Sequence, residues 1–156
     1  MKKIAGIFIA LIILAPVLYA QSSLDLFQKY YNEKNPEEAV KYASAAANQN
    51  PKNVDLMVKI GISFNEIEKY DSALVYFKKA YELKDNDPQI AQHYSRALAN
   101  VKNYPEAVKI INQAIKRDKN NYRNHLTAAE IYIKADSLTQ AELSINRARE
   151  IDPDNP

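Results

Sequence analysis

The chain has 156 residues, contains no cysteine and holds only two glycines. This length suits one ordinary domain or a short repeat array, and the missing cysteines exclude disulfides, thiolate metal sites and thiol nucleophiles. The formal charge of +2 comes from Lys2 and Lys3, because removing them from the 21 basic residues leaves 19 against 19 acidic residues; a nucleic-acid binder normally keeps a basic surplus, so that class is excluded.

Residues 1–20 have the pattern of an export signal. Two lysines precede an apolar run over residues 4–14, and the small Ala20 is followed by the polar Gln21. We therefore predict cleavage between Ala20 and Gln21, and a periplasmic or secreted bacterial protein. The alternative is an uncleaved anchor in the inner membrane, although 17 apolar residues interrupted by Gly6 and Pro16 are short for about 30 Å of hydrocarbon.

The rest of the chain repeats with a period of 34 residues. Two columns of alanine and a third of mostly larger apolar residues recur at this spacing: Ala39, Ala73, Ala107 and Ala141; Ala46, Ala80, Ala114 and Ala148; Ala43, Phe77, Ile111 and Ile145. Within each unit the columns are four and three residues apart, which places them on one stripe of a helix. Small residues on such a stripe let a second helix approach closely.

A second apolar stripe with helical spacing precedes the first in every unit, as in Ile60, Gly61 and Phe64. The breaks between stripes carry helix-start residues: Ser22 or Ser23, Asn35-Pro36, Asp71-Ser72, Asn103 and Asp136-Ser137. We predict four units of two helices each, over residues 20–53, 54–87, 88–121 and 122–155.

The last unit differs from the others on the face that would receive a further unit. Val40, Leu74 and Val108 are replaced there by Glu142, and Ala47, Tyr81 and Ile115 are replaced by Arg149. Terminal units of a repeat array need a polar outer face. We therefore expect the stacking of repeat units to end at this unit.

The 34-residue unit resembles the tetratricopeptide repeat (TPR) family. The best match is residues 54–87, where the family's conserved positions hold Gly61, Phe64, Tyr70, Ala73, Phe77 and Ala80. The chain departs from the family pattern in having no tryptophan. The resemblance implies an all-α fold, a right-handed α-solenoid of four helix–turn–helix repeats and eight helices, over residues 21–156 after the signal peptide.

The resemblance also implies a function in protein–protein interaction. Partners of this family lie in a concave groove lined by the first helix of each unit, and the candidate groove residues are Gln28, Tyr31, Val58, Ile62, Asn65, Gln92, Arg96, Leu126, Glu130 and Ile133. We expect a scaffold or adaptor of the bacterial cell envelope that binds a peptide or helix of an envelope protein. The alternative is a structural subunit that self-associates through the convex face.

The sequence offers little for catalysis. His125 falls on an inward stripe and is expected to be a packed core histidine, while His93 has no partner at metal-ligand spacing. Paired carboxylates occur at helix ends, where capping explains them, and no glycine-rich phosphate loop is present. We therefore predict no catalytic residue, no metal and no cofactor, so an enzyme or a small-molecule binder is the least favoured class.

Overall fold

The computed structural model describes residues 22–154, and every regular element in that range is a helix. The eight helices are α1 (Ser23–Asn32), α2 (Pro36–Gln49), α3 (Val54–Glu66), α4 (Tyr70–Leu83), α5 (Pro88–Asn100), α6 (Tyr104–Arg117), α7 (Tyr122–Lys134) and α8 (Leu138–Ile151). The predicted signal peptide and its cleavage bond lie outside the described residues. None of the described helices has the length and apolar character needed to cross a membrane.

The helices form four consecutive pairs, and the predicted alanine columns lie inside them. All eight column alanines are buried, as are Ala43, Phe77 and Ile111, whereas Ile145 is half-buried. Because an alanine extends only a methyl group from the backbone, the two helices of a pair can approach closely along this stripe. The prediction of an all-α fold built from helix–turn–helix repeats is confirmed.

The turn inside each pair has one backbone conformation, repeated four times. Lys34, Glu68, Lys102 and Asp136 have positive φ values between 54° and 63° and are spaced 34 residues apart. In the second pair, Lys69 N donates to Phe64 O at 2.9 Å and Glu68 N donates to Asn65 O at 3.1 Å. This pair of bonds is a Schellman closure, which usually has glycine at the left-handed position. The sequence does not reveal these turns, because lysine, glutamate or aspartate stands there.

The predicted helix starts are partly correct. Ser22 caps α1 in a reciprocal capping box with Asp25, and the Asn35 side chain accepts from Glu38 N at 3.2 Å. Helix α4, however, begins at Tyr70, so Asp71 lies within its first turn and is not its cap. Ser137 precedes α8 without a side-chain capping bond. The closed turn before α8 already fixes where the helix begins.

The described helices divide into two compact units, α1–α2 and α3–α8. In the first unit α1 packs on α2, and Phe27 and Ala43 are buried. In the second unit α4 packs on α5, α6 packs on α7, and α5 contacts both α3 and α7. The first helices of successive pairs, α3, α5 and α7, therefore lie side by side.

The surface of α8 is only partly as expected. Glu142 and Arg149 are exposed, in agreement with a polar outer face. Leu138 and Leu143 on the same helix are also 66% exposed. The exposed surface of α8 is therefore less polar than the comparison of the four repeats predicted.

Candidate functional site

The row formed by α3, α5 and α7, together with Phe77 of α4, lines an open cavity of about 450 Å³. Ile62, Phe77, Ala97 and Ile131 form its apolar floor, and most of its remaining lining is polar or charged. An apolar floor with a few polar groups is typical of a binding site. Four of the predicted groove residues line this cavity: Ile62, Asn65, Arg96 and Glu130.

Two stacked rings line the cavity where its floor meets one wall. The ring of His93 on α5 lies parallel to the ring of Phe77 on α4, with centroids 5.2 Å apart and an interplanar angle of 5°. Burial lowers the pKa of His93 below its ordinary value of 6.5; the neighbouring Arg96 charge lowers it further, and Asp87 opposes the shift. The imidazole is therefore neutral at pH 7, which keeps this wall uncharged.

Gly61 on α3 fixes the position of the Phe77 ring. A Cβ atom added to Gly61 would lie 2.7 Å from Phe77 Cε1, well inside van der Waals contact. The absence of a side chain at Gly61 thus lets Phe77 enter between α3 and α5, where it supports His93.

An ion pair joins the second and third helices of the row. Arg96 Nε donates to one carboxylate oxygen of Glu130 at 2.6 Å, and Arg96 Nη2 donates to the other at 3.1 Å. Arg96 is 39% and Glu130 is 50% exposed. The two charges therefore neutralise each other at the rim of the cavity, although the solvent there weakens the attraction.

A ladder of side chains crosses all three helices of the row. Asn100 Nδ2 on α5 donates to Asn65 Oδ1 on α3 at 2.9 Å, and Lys134 Nζ on α7 donates to Asn100 Oδ1. Each of these residues lines the cavity. Asn65 takes part in the ladder only as an acceptor, through Oδ1. Its amide nitrogen donates no hydrogen bond within residues 22–154, so it can still donate to a ligand.

The position of Gln92 differs from the prediction. We expected its amide to bond to a peptide, but Gln92 is only 7% exposed and its Nε2 donates to Asn124 Oδ1 at 2.8 Å. The pair bridges α5 and α7 beneath the surface. Asn124 Nδ2 is buried without a hydrogen-bond partner in the described part of the chain. Gln92 therefore contributes to helix packing and is not a surface contact.

The other predicted groove residues lie apart from the cavity. Val58 lines a second depression of about 280 Å³ between α3 and α5, which His93 also borders. Leu126 is half-buried and Ile133 is 54% exposed on α7. Gln28 is exposed and Tyr31 half-buried on α1, in the first unit. In that unit the Tyr31 ring stacks on Phe27, with centroids 5.9 Å apart.

Comparison with known proteins identifies the family. Profiles described as tetratricopeptide repeat match residues 10–89, 68–121 and 102–156. The chain belongs to the tetratricopeptide repeat family. Members of this family are scaffolds for protein–protein interaction.

Curated TPR relatives are much longer than this chain. Human tetratricopeptide repeat protein 21B is 27% identical over 139 residues, which are 84% of this chain and 10% of that protein. Mouse tetratricopeptide repeat protein 21A is 29% identical over 97 residues, 62% of this chain and 7% of that protein. The chain thus spans about a tenth or less of these relatives, none of which is named as an enzyme.

Solved TPR structures share the fold at low sequence identity. YrrB, described as a TPR protein with an unusual peptide-binding site, superposes with a TM-score of 0.76 at 22% identity, covering 85% of this chain and 69% of YrrB. MamA from Desulfovibrio magneticus has a TM-score of 0.69 at 19% identity, covering 85% of this chain and 77% of that chain. These likenesses establish the fold.

The TPR period could have revealed cavity residues that the sequence analysis missed. Glu66, Asn100 and Lys134 form a polar column at 34-residue spacing, one position after the column that contains Asn65. His93 was not among the predicted groove residues, yet it borders both depressions. Stacking between His93 and Phe77 joins the second and third repeats. It has no signature in the sequence.

His125 was predicted to be a packed core residue, but it is only half-buried. Its Nε2 lies 3.0 Å from Lys119 O, which ties α7 to the preceding loop. Within residues 22–154 no three His, Asp or Glu side chains are grouped as metal ligands would be.

Proposed function

We propose that this chain is a non-catalytic interaction scaffold that binds a segment of another protein along α3, α5 and α7. The observation that carries the proposal is the 450 Å³ cavity, which combines an apolar floor with the polar ladder of Asn65, Asn100 and Lys134. An apolar surface provides most of the binding free energy, and a few placed polar groups orient the ligand. The peptide-binding site described for YrrB is consistent with this use of the fold.

We further propose that the scaffold acts in the bacterial cell envelope. The support is the basic and apolar pattern of residues 1–20, which is typical of a secretory signal. Fractionation of cells that express the full chain, with mass measurement of the recovered protein, tests this proposal. A periplasmic protein that begins at Gln21 supports it, whereas a full-length cytoplasmic product contradicts it.

The binding function is tested by affinity capture from envelope extracts. The bait carries residues 21–156, and the groove variant combines Ile62→Asp with Arg96→Glu. We expect the native bait to recover a defined protein and the groove variant to lose it, because the substitutions place carboxylates on the apolar floor and beside Glu130.

The matched control combines Val75→Asp with Lys116→Glu. Both residues are exposed on second helices of their pairs and lie outside the cavity lining. Like the groove variant, the control replaces one aliphatic and one basic residue by acidic residues. Because both positions lie outside the cavity, the control should retain the partner. Equal recovery by the groove variant and the control would reject the proposed binding surface.

A further inference from the structure

The polar ladder has charges of opposite sign at its two ends. Glu66 is exposed on α3 beside Asn65, and Lys134 is exposed on α7. Within residues 22–154 neither side chain forms an ion pair, whereas Arg96 and Glu130 between them are paired. A ligand that follows the ladder therefore meets an unpaired anion at one end and an unpaired cation at the other.

The ladder itself favours an extended backbone over a helix. The amides of Asn65 and Asn100 keep N–H groups that can donate to a ligand carbonyl. Carbonyls of an α-helix already accept from the helix's own N–H groups, while those of an extended strand remain available. A strand laid across α3, α5 and α7 can thus bond to the ladder, as in other cases where main-chain bonds hold a peptide.

The floor of the cavity selects an apolar side chain. Ile62, Phe77 and Ile131 form the floor, and the wall beside Phe77 is the His93 ring. Alternate residues of a strand point to the same side, so one side chain can enter the cavity while its neighbours lie along the rim.

The separation of the two charges sets the length of the segment. Packed helices lie about 8–10 Å apart. Because Lys134 Nζ reaches back from α7 to Asn100 on α5, the two charges are separated by little more than one such spacing. An extended chain advances about 3.3 Å per residue, so about four residues span this distance.

We propose that the scaffold recognises an extended peptide segment with a central apolar residue, a basic residue over Glu66 and an acidic residue over Lys134. The two charged residues are about four positions apart. This inference rests on the proposed function, since it specifies the ligand of the same surface.

The test uses labelled synthetic peptides of about five residues, which match this span, and fluorescence anisotropy at low salt. The probe has Lys at one end, Asp at the other, leucine in the centre and threonine elsewhere; comparison peptides carry Lys at both ends or Asp at both ends. We expect the Lys/Asp probe to bind most tightly to the native protein. Replacing its leucine by alanine should weaken binding about tenfold, through loss of buried apolar area.

Charge-reversal variants decide the assignment of the two ends. Lys134→Glu should weaken binding of the Lys/Asp probe about five- to tenfold and make the Lys/Lys peptide the preferred ligand. Glu66→Lys should shift the preference to the Asp/Asp peptide. Both residues are exposed, so the variants should remain folded, which circular dichroism checks. Lys116→Glu, outside the cavity, is the matched control and should leave Kd within about twofold.

Three results would overturn this inference. The first is an unchanged order of peptide affinities in both reversal variants, and the second is tighter binding of a helix-stapled peptide of the same composition. The third is no binding of any probe by a native protein that still captures its partner through Ile62 and Arg96. In that third case the proposed function stands and the ligand assignment fails, whereas loss of groove-dependent capture rejects the proposed function itself.

Discussion

Gly61 is the residue that most directly links the core to the cavity. Its missing side chain leaves room for the Phe77 ring, and that ring in turn stacks on His93. A glycine in the middle of a helix costs about 1 kcal/mol relative to alanine. Close packing of Phe77 is the physical reason why α3 has glycine at this position.

We expect Gly61→Ala to destabilise the protein although alanine is the better helix former. Phe77 is only 3% exposed, so its ring has little room to move away from the added methyl group. Overpacking of this kind typically costs about 1–3 kcal/mol, which exceeds the gain in helix propensity. Urea unfolding measures the change.

A double-mutant cycle separates the steric clash from other effects. In a Phe77→Leu background the ring is absent, and Gly61→Ala should then be neutral or stabilising. An equal loss of stability in both backgrounds would show that the clash with Phe77 is not the cause.

His93 makes the stability of the fold depend on pH. Burial lowers the pKa of this side chain in the folded protein below the ordinary value of 6.5. The unfolded chain therefore binds the proton more readily, and folding stability should decrease as the pH falls below about 6.5 towards the folded-state value.

The comparison that isolates this effect is native protein against His93→Phe, which keeps a ring on Phe77 but does not titrate. Thermal unfolding between pH 7.5 and pH 4.5 should show a larger decrease in Tm for the native protein. Parallel decreases in the two proteins would assign the pH dependence to other groups.

At the scale of helices, stability depends on the close approach of the two members of a pair. Ala80 on α4 has no exposed surface and lies on the alanine stripe. Ala80→Leu adds three carbon atoms where the helices meet, and we expect a loss of about 1–3 kcal/mol. Val75→Leu, on a half-exposed position of the same helix, is the control and should change stability by less than about 0.5 kcal/mol. Equal melting temperatures for Ala80→Leu and the native protein would contradict this helix register.

At the scale of the whole molecule, the open question is whether copies associate. The exposed large apolar side chains in the described residues are Val75, Leu83, Ile133, Leu138 and Leu143. Single exposed aliphatic residues are common on monomeric proteins. We therefore expect residues 21–156 to be monomeric by light scattering over a hundredfold range of concentration. A mass that rises with concentration would favour the self-associating subunit, and Leu138→Glu with Leu143→Glu would test whether α8 provides the contact.

The sequence by itself determined the repeat and the fold class. A fixed 34-residue period is visible because the alanines at a helix–helix contact tolerate no larger residue, so the same residue recurs in every unit. The cap at Ser22 was likewise predictable, since capping depends on neighbouring residues in the chain. The family resemblance pointed to the first helix of each repeat as the groove, and four of the ten candidates, Ile62, Asn65, Arg96 and Glu130, line the cavity.

Only the tertiary structure decided how those side chains are used. Gln92 and Arg96 are both polar residues on one face of α5, yet Gln92 is buried against Asn124 while Arg96 pairs with Glu130 at the rim. The turns at Lys34, Glu68, Lys102 and Asp136 also escaped detection, since no glycine marks them. These outcomes depend on which atoms of a neighbouring unit come within hydrogen-bonding distance. A period in the sequence gives the order of the units, but the distances between their side chains arise only when the helices pack.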